Sequence, residues 1–512
     1  MTDLHLPLDR SAGRLAAQIA AGFRAAVRSG RLVAGTRLPS SRDLARDLGV
    51  SRGVVVTAYE QLVAEGFLVS RRGDGTRVAP LARPDGAGPA PAGPEPSAWL
   101  GGPVAIRAGG PDPGRAPRPA PDPAPPAADT EVWPEGQASG GPPAAPVAYD
   151  LWPGTPDLAS FPRERWTAAS RAALRALPHD AFTYPDPGGV PALRTELAGY
   201  LGRVRAAHAA PDQVVIMNGV AHALSALVRL LVEDGHRVLA VEDPTSARQI
   251  PMLEATGVAL APVPVDGDGI DVAALARTGA RAVLVTPAHQ YPTGVVLSPA
   301  RRAALIAWAR DVGGVIVEDD YDAEFRYDRD PVGCLQGVDP DRVVLLGSVS
   351  KSLAPALRLG WAVAPGDLAG RLRVHRARTD LGGPVLEQYA LAEFLSGGGY
   401  DRHLRMMRRR YRARRDALAD ALRAHVPGVM VHGVSAGIHL YVELPRGADE
   451  RQVARDAAEA GVCVAGAAPM WSAERAGQAP PALVLGYARL GEARLEEAAR
   501  LLGRVVTQRA RG

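Results

Sequence analysis

Apolar positions along the chain recur in two rhythms. From Ser11 to Ser29 they fall at Leu15, Ile19, Phe23 and Val27, one face of an amphipathic helix that Gly30 ends. A second helix is predicted after Pro39-Ser-Ser, over Arg42–Leu48, stopping at Gly49. Ser51 is placed to cap a third, Arg52–Glu65, which Gly66 closes. Phe67 to Val78 then predicts two strands around the turn Gly73-Asp-Gly75. From about residue 148 the rhythm changes to short apolar runs: Val214–Met217, Val238–Val241, Ala282–Thr286, Val315–Glu318, Val343–Leu346 and Trp361–Ala364. Helical patterns separate most of them, among them Ala221–Val232 and Pro299–Asp311, as in a mostly parallel α/β sheet covered on both faces. A long helical run after about 395, followed by shorter α/β pieces, predicts a smaller C-terminal lobe.

Residues 80–147 follow neither rhythm. Pro, Ala and Gly dominate them, a composition that buries too little side chain to fold. They read as a flexible linker, on the order of 45 Å root-mean-square in reach. The expected organisation is a small helical domain over 1–79, the linker, and a large α/β domain over 148–508 whose small lobe occupies about 395–508.

Charge sharpens the division. The net charge of +4 conceals a basic N-terminal segment: residues 1–78 carry twelve arginines against seven acids, which is +5 and leaves −1 for the rest. A polyanion partner is expected for that segment rather than for the whole chain. Two distant cysteines, Cys334 and Cys463, suggest neither a disulfide framework nor a zinc site. With no apolar leader or membrane-length run, the chain is expected to be cytoplasmic and away from membranes.

Lys351 is the single lysine among 512 residues, in Leu346-Gly-Ser-Val-Ser-Lys-Ser-Leu353. An arginine stays protonated, whereas a lysine amine can lose its proton and condense with an aldehyde. A Schiff base with pyridoxal 5′-phosphate (PLP) is the leading expectation; a surface lysine that survived by chance is the plain alternative. Glu318-Asp-Asp-Tyr-Asp-Ala-Glu-Phe325 ends a strand with five acids, where α/β sheets bind ligands. A pyridoxal ring needs one carboxylate against its nitrogen; the same string also suits a metal site or a plain acidic loop. Phosphate donors are available in Asn218-Gly-Val-Ala-His222 between a strand and a helix, in Ser348 and Ser350, and in Arg358.

The three N-terminal helices and the following hairpin have helix-turn-helix spacing with a β-wing. Ser41, Arg42, Ser51 and Arg52 stand at helix starts, and Arg71, Arg72 and Gly73 on the wing, all placed to meet duplex DNA. A packing module with a solvated arginine face is the alternative. Arg402 to Arg415 holds eight arginines in a helical run, read as a solvated face or as a second DNA surface.

Two stretches carry a resemblance. Gly35-Thr-Arg-Leu-Pro-Ser-Ser-Arg42 through Ser51-Arg52 to Gly66 resembles the winged helix of GntR-type regulators. Residues 148–508 resemble fold-type I, class I aminotransferases, through Thr183-Tyr-Pro-Asp-Pro-Gly188, Val285-Thr-Pro-Ala-His-Gln-Tyr-Pro-Thr-Gly294 and the acidic and lysine strings above. The whole is similar to the MocR/GabR family, and within it resembles a PdxR-like, PLP-responsive type. That resemblance implies a DNA-binding transcription regulator whose aminotransferase-like domain senses PLP, or PLP with a small amine or amino acid. In it Lys351 forms the Schiff base, Asp319 pairs with the ring nitrogen, Tyr321 meets the ring hydroxyl, and Gly219, Val220, Ala221 and Arg358 hold phosphate. Tyr184 would reach the partner subunit's cofactor, which implies a homodimer.

Two positions depart from the aminotransferase pattern. Ser246 stands in Asp243-Pro-Thr-Ser246 where a ring-stacking aromatic is usual, and Val484 in Leu483-Val-Leu-Gly-Tyr487 where an arginine usually binds the substrate carboxylate. Arg248 or His289 is the expected effector contact instead. Cofactor binding is expected to be intact and repeated turnover of amino acids to be lost, leaving at most a slow half-reaction. An active aminotransferase with an added helical module, and a DNA-binding protein with a merely structural cofactor, are the competing readings.

Overall fold

A computed structural model describes residues 13–71, 75–79, 148–327, 333–433 and 436–509, together with 6 and 8–10. The predicted linker and the wing residues Arg72 and Gly73 lie outside the described residues.

Helices α1 (Leu15–Arg28), α2 (Ser41–Leu48) and α3 (Arg52–Glu65) are followed by the antiparallel strands β1 (Leu68–Arg71) and β2 (Gly75–Val78). Ile19, Phe23 and Val27 of α1 meet Val55 and Leu62 of α3 in one apolar core, the face that the periodicity marks. Gly49 and Gly66 end α2 and α3 at φ of 60° and 86°, a conformation that costs glycine nothing. Ser40 caps α2 through a 3.2 Å bond from the Asp43 N–H to its Oγ. Ser51 occupies the corresponding place on α3, but its exposed side chain makes no capping bond. Arg24 and Glu65, both buried, form a 2.8 Å ion pair that pins α1 to α3.

The large domain is built on an eight-stranded sheet. Its strands are β3 (Val214–Met217), β4 (Val238–Asp243), β5 (Ala259–Asp266), β6 (Gly269–Ile270), β7 (Ala282–Val285), β8 (Val315–Asp319), β9 (Val343–Ser348) and β10 (Gly360–Val363). Their order is β3-β10-β9-β8-β7-β4-β5-β6; β10 and β6 run antiparallel to their neighbours and the rest are parallel. Helices α4 (Pro191–Arg205), α5 (Val220–Glu233) and α6 (Pro299–Asp311) are among those flanking it. β5 has no counterpart in the apolar runs of the sequence. It lies near the sheet edge, mostly half-buried, and carries Pro262 and Pro264, residues that argue against a central strand.

α7 (Gly399–His425) opens the small lobe, whose four-stranded antiparallel sheet includes Met430–His432, His439–Glu443 and Ala482–Gly486. Tyr149–Asp150 pairs with Val462–Cys463, so the chain touches this lobe before it enters the large sheet. The arginine run divides in two. Arg410 and Arg414 bind the buried Asp157, Arg408 donates to the Glu324 carbonyl, and Arg415 bonds Asp416 and lies over Tyr327. Arg402, Arg405, Arg409 and Arg412 remain exposed. Both cysteines are buried and free, and no described helix is long and apolar enough to cross a membrane.

Candidate cofactor site and nucleic-acid face

Strand register brings the candidate residues to one sheet edge. Gly360 pairs with both Met217 and Ser348, while Asp319 pairs with Leu346. The C-terminal ends of β3, β8 and β9 therefore open on the same side, where ligands meet parallel strands. The helix start after β3, the acidic end of β8 and the 349–359 turn after β9 converge there.

Lys351 lies in that turn. Its Nζ donates 2.5 Å to the Gly154 carbonyl. Burial lowers its pKa, with the charge of Arg248 adding to the effect and Asp322 and Asp319 opposing it. A lowered pKa raises the fraction of neutral, nucleophilic amine. Asp319 is buried at the end of β8. One carboxylate oxygen accepts a 3.1 Å bond from Gln249 Nε2; the other, Oδ1, is buried with no partner. Burial pushes this carboxyl up to about 6; the Gln249 bond and Lys351 counter that, and Asp320 and Asp322 reinforce it. An orphaned, desolvated carboxylate oxygen invites a cationic N–H, such as a protonated ring nitrogen.

The start of α5 is equally specific. Gly219 stands before α5 at φ 84°, and a Cβ there would lie 2.8 Å from the Arg358 guanidinium. Arg358 donates 2.6 Å to the Asn218 carbonyl and so lies across the start of α5. The first backbone bond of that helix is Ala223 N–H to Gly219 O, which leaves the Val220 and Ala221 N–H groups to a ligand. Buried Ser348 accepts from the Ser350 N–H at 3.3 Å on the facing strand end. A cationic guanidinium, free amides and two hydroxyls around a gap that only glycine permits fit a phosphate. With the orphaned Asp319 oxygen and the Lys351 amine, the residues present fit PLP.

Tyr321 follows on the same strand end, donating to the His289 carbonyl at 3.0 Å with its oxygen also 3.0 Å from His289 Nδ1. Burial pushes its phenol well above the ordinary value, and the neighbouring Asp322 adds to this. His289 is buried, bonded through Nδ1 to Asp322 at 3.1 Å, with Nε2 unpartnered. Arg248 is exposed and close enough to Lys351 to affect its titration. Tyr184 is 80% exposed. Gln249 and the Gly154 carbonyl are site groups that the sequence does not signal. The first looks like any glutamine near a helix start, and the second is main chain.

The two departures are structural as well. Val484 is buried among Tyr441, Ala465, Ala467 and Ala482, with Trp152 and Met470 packed against the cluster. Ser246 is half-buried beside the contact that closes the small lobe on the large domain. There Ser472 donates to Asp243 through its N–H at 2.9 Å and its hydroxyl at 2.7 Å, and the Thr245 N–H donates to the Met470 carbonyl at 2.9 Å.

On the winged helix, Arg42, Ser51 and Arg52 are exposed at the starts of α2 and α3. Arg52 Nε donates 3.3 Å to Ser41 Oγ, which joins the two helix starts into one polar face. A cleft of about 700 Å³, lined by Ser41, Thr57, Glu60, Gly75 and, from α6, Pro299, flanks that face.

Comparisons with known proteins agree on both halves. Residues 15–78 match the gntR family of bacterial regulatory proteins, and residues 155–500 match aminotransferase class I and II, a fold that implies PLP dependence. The chain is 33% identical to the probable rhizopine catabolism regulatory protein MocR of Rhizobium meliloti, covering 89% of this chain and 87% of that one. It is 34% identical to PdxR, the HTH-type pyridoxine biosynthesis transcriptional regulator of Corynebacterium glutamicum, covering 82% of each. Among solved structures, an archaeal alanine:glyoxylate aminotransferase superposes with a TM-score of 0.65 at 27% identity, over 71% of this chain and 92% of that one. LysN, the α-aminoadipate aminotransferase of Thermus thermophilus, gives 0.63 at 28% identity, over 70% and 92%. With a GntR winged helix and a fold-type I aminotransferase-like domain in one polypeptide, the chain belongs to the MocR family of GntR-type transcriptional regulators.

Proposed function

We propose that this regulator holds PLP on Lys351 and uses its aminotransferase-like domain as a sensor, for PLP itself or for PLP with a small amine. The observation that carries this reading is a contrast within one site. The Lys351 amine, the orphaned Asp319 oxygen and the groups around Gly219 and Arg358 would together suit PLP, while the position of the usual carboxylate clamp is Val484 in an apolar cluster. PLP, when bound, supplies an electron-withdrawing aldehyde ring. The protein's own part is to keep the Lys351 amine neutral, hold a proton on the ring nitrogen through Asp319, and fix phosphate with Arg358, the α5 amides, Ser348 and Ser350. Losing a bidentate clamp removes both affinity and orientation for an amino-acid substrate. Arg248, an exposed cation near the amine, is the group that would receive an anionic end of an effector.

Ser41, Arg42, Ser51, Arg52 and, on the wing, Arg72 and Gly73 would contact operator DNA. Tyr184 would reach the partner subunit's cofactor in a homodimer; its exposure beside exposed Phe182 and Leu381 supports that reading. Target genes of vitamin B6 or amine metabolism fit the named relatives, and action on DNA in the cytoplasm follows. The test is to incubate PLP-loaded protein with a panel of amino donors and keto acids. No product beyond one equivalent per site is expected; brisk multiple turnover would restore the enzyme reading.

A further inference from the structure

The acidic end of β8 has two faces. Side chains alternate along a strand, so Asp319 looks toward the Lys351 site while Glu318 and Asp320 look the other way. On that opposite face Glu318 accepts from two successive backbone amides, Leu335 at 3.1 Å and Gln336 at 3.0 Å. Asp320 receives Arg205, the last residue of α4, through Nε at 2.7 Å and Nη2 at 2.9 Å, and both side chains are buried. The Arg205 carbonyl in turn accepts the Cys334 N–H at 2.8 Å. Residues 333–339 and the end of α4 are thus fastened to the strand that carries Asp319.

The winged helix sits on those same segments. Val338 packs inside its core, with Phe23, Val27, Leu62 and Phe67. Arg28, at the end of α1, donates to Ala206 O at 2.6 Å and Gly337 O at 2.8 Å, one carbonyl from each fastened segment. Gly337 leaves no room for a side chain, since a Cβ there would lie 2.1 Å from the Ala206 carbonyl oxygen. At Gly333 a Cβ would be 3.0 Å from Glu65, the buried partner of Arg24, and the Gly333 carbonyl accepts from buried Arg302 of α6 at 2.5 Å. These contacts use the ends of α1 and α3, while the starts of α2 and α3 stay exposed beside the cleft.

We infer that residues 333–339 and Ala206 form a built seat for the winged helix, and that Glu318 and Asp320–Arg205 tie this seat to the cofactor-facing Asp319. A shift of the β8 end when the Asp319 oxygen gains its cationic partner is then passed to Gly337 and Val338, and from there to Arg28 and the winged-helix core. Coupling of this kind works through an element whose arrangement both sites bias; the strand end is the element that touches both the cofactor side and the seat. Arg28 and Val338 are the positioning residues on its DNA side.

The proposal rests on the reading of the Lys351 cluster as a PLP site, and one experiment separates the two. Amide hydrogen exchange is followed by mass spectrometry on the full chain, PLP-free and PLP-loaded, for the wild type, Arg28→Ala and the milder Val338→Ala. The visible band of bound cofactor is recorded for each. In the wild type, loading should slow exchange in 333–343 and in α1 and the last turns of α3 by about 5-fold or more, the lower end of an ordinary allosteric coupling. In both variants the cofactor band and the slowing in 333–343 should persist while the winged-helix response is lost. Cofactor uptake without a winged-helix response in the wild type, or an undiminished response in both variants, would overturn the inference. No cofactor uptake by the wild type would overturn it together with the site reading on which it rests.

Discussion

Replacing Asp319 by Asn should make the PLP-free protein more stable and the PLP-loaded protein weaker, with opposite signs from one atom pair. Asn keeps an oxygen for the Gln249 bond but carries no charge into the buried strand end. The carboxyl's pKa rises from an ordinary 3.8 to about 6 on folding, mainly by burial. An acid whose pKa is raised by folding costs stability as pH climbs from its unfolded value to its folded one, and the cost is constant above that. Below pH ~3 both states are protonated and the variant gains nothing. At 1.36 kcal/mol per pKa unit the charge costs on the order of 1–2 kcal/mol at pH 5 and about 3 kcal/mol at pH 7.5. Calorimetry of PLP-free protein should show Asp319→Asn and wild type drawing apart between pH 4 and 6, then running parallel to pH 8. Loaded wild type should lose this dependence, because the ring nitrogen supplies the missing cation. Meanwhile, losing a charge-assisted bond of about 1.5–3 kcal/mol should weaken PLP binding by about 10–150-fold. A variant no more stable than wild type at pH 7.5, or one that binds PLP equally well, would refute the assignment of Asp319 to the ring nitrogen.

Other consequences are open to direct measurement. Lys351→Arg should abolish both the visible band and borohydride fixation of cofactor, because a guanidinium cannot stand in for the amine; a band at full intensity would remove Lys351 from its role. Arg52→Ala should cost about 1–3 kcal/mol of specific duplex binding in an electrophoretic or anisotropy titration, the worth of one good base contact. Unchanged affinity would mean that the start of α3 does not read the operator. Glu65→Ala should destabilise the winged helix by about 3–5 kcal/mol, since it strands the buried Arg24 charge. A thermal scan showing no loss would mean that the pair is not buried in solution.

Local rules carried the secondary structure far. Gly49 and Gly66 end helices where their φ angles favour glycine, and α3 runs from Arg52 to Glu65 as predicted, although Ser51 makes no capping bond. The single lysine points to a site because a neutral amine has few other uses, whereas the acidic string alone suits a metal site or a plain acidic loop as well and gains its meaning from the lysine. What stayed hidden depends on distance along the chain. Arg302 looks like a solvated residue of an amphipathic helix, yet it is buried against Gly333. Asp157 gives no sign that it gathers Arg410 and Arg414, which takes part of the arginine run out of solvent. Arg28 meets carbonyls 178 and 309 residues away, a pairing that no periodicity encodes. The alternation of Glu318, Asp319 and Asp320 is readable in principle, but what each face meets is known only from the fold.

Occupancy of the Lys351 site should change how the winged helix engages DNA. A duplex selected on the full-length protein, titrated at fixed salt with PLP-free and PLP-loaded protein, measures this. A coupling of about 1–3 kcal/mol predicts affinities differing by about 5–150-fold, or a footprint that changes with loading. Superimposable titrations and footprints, with the cofactor band showing full loading, would contradict the account.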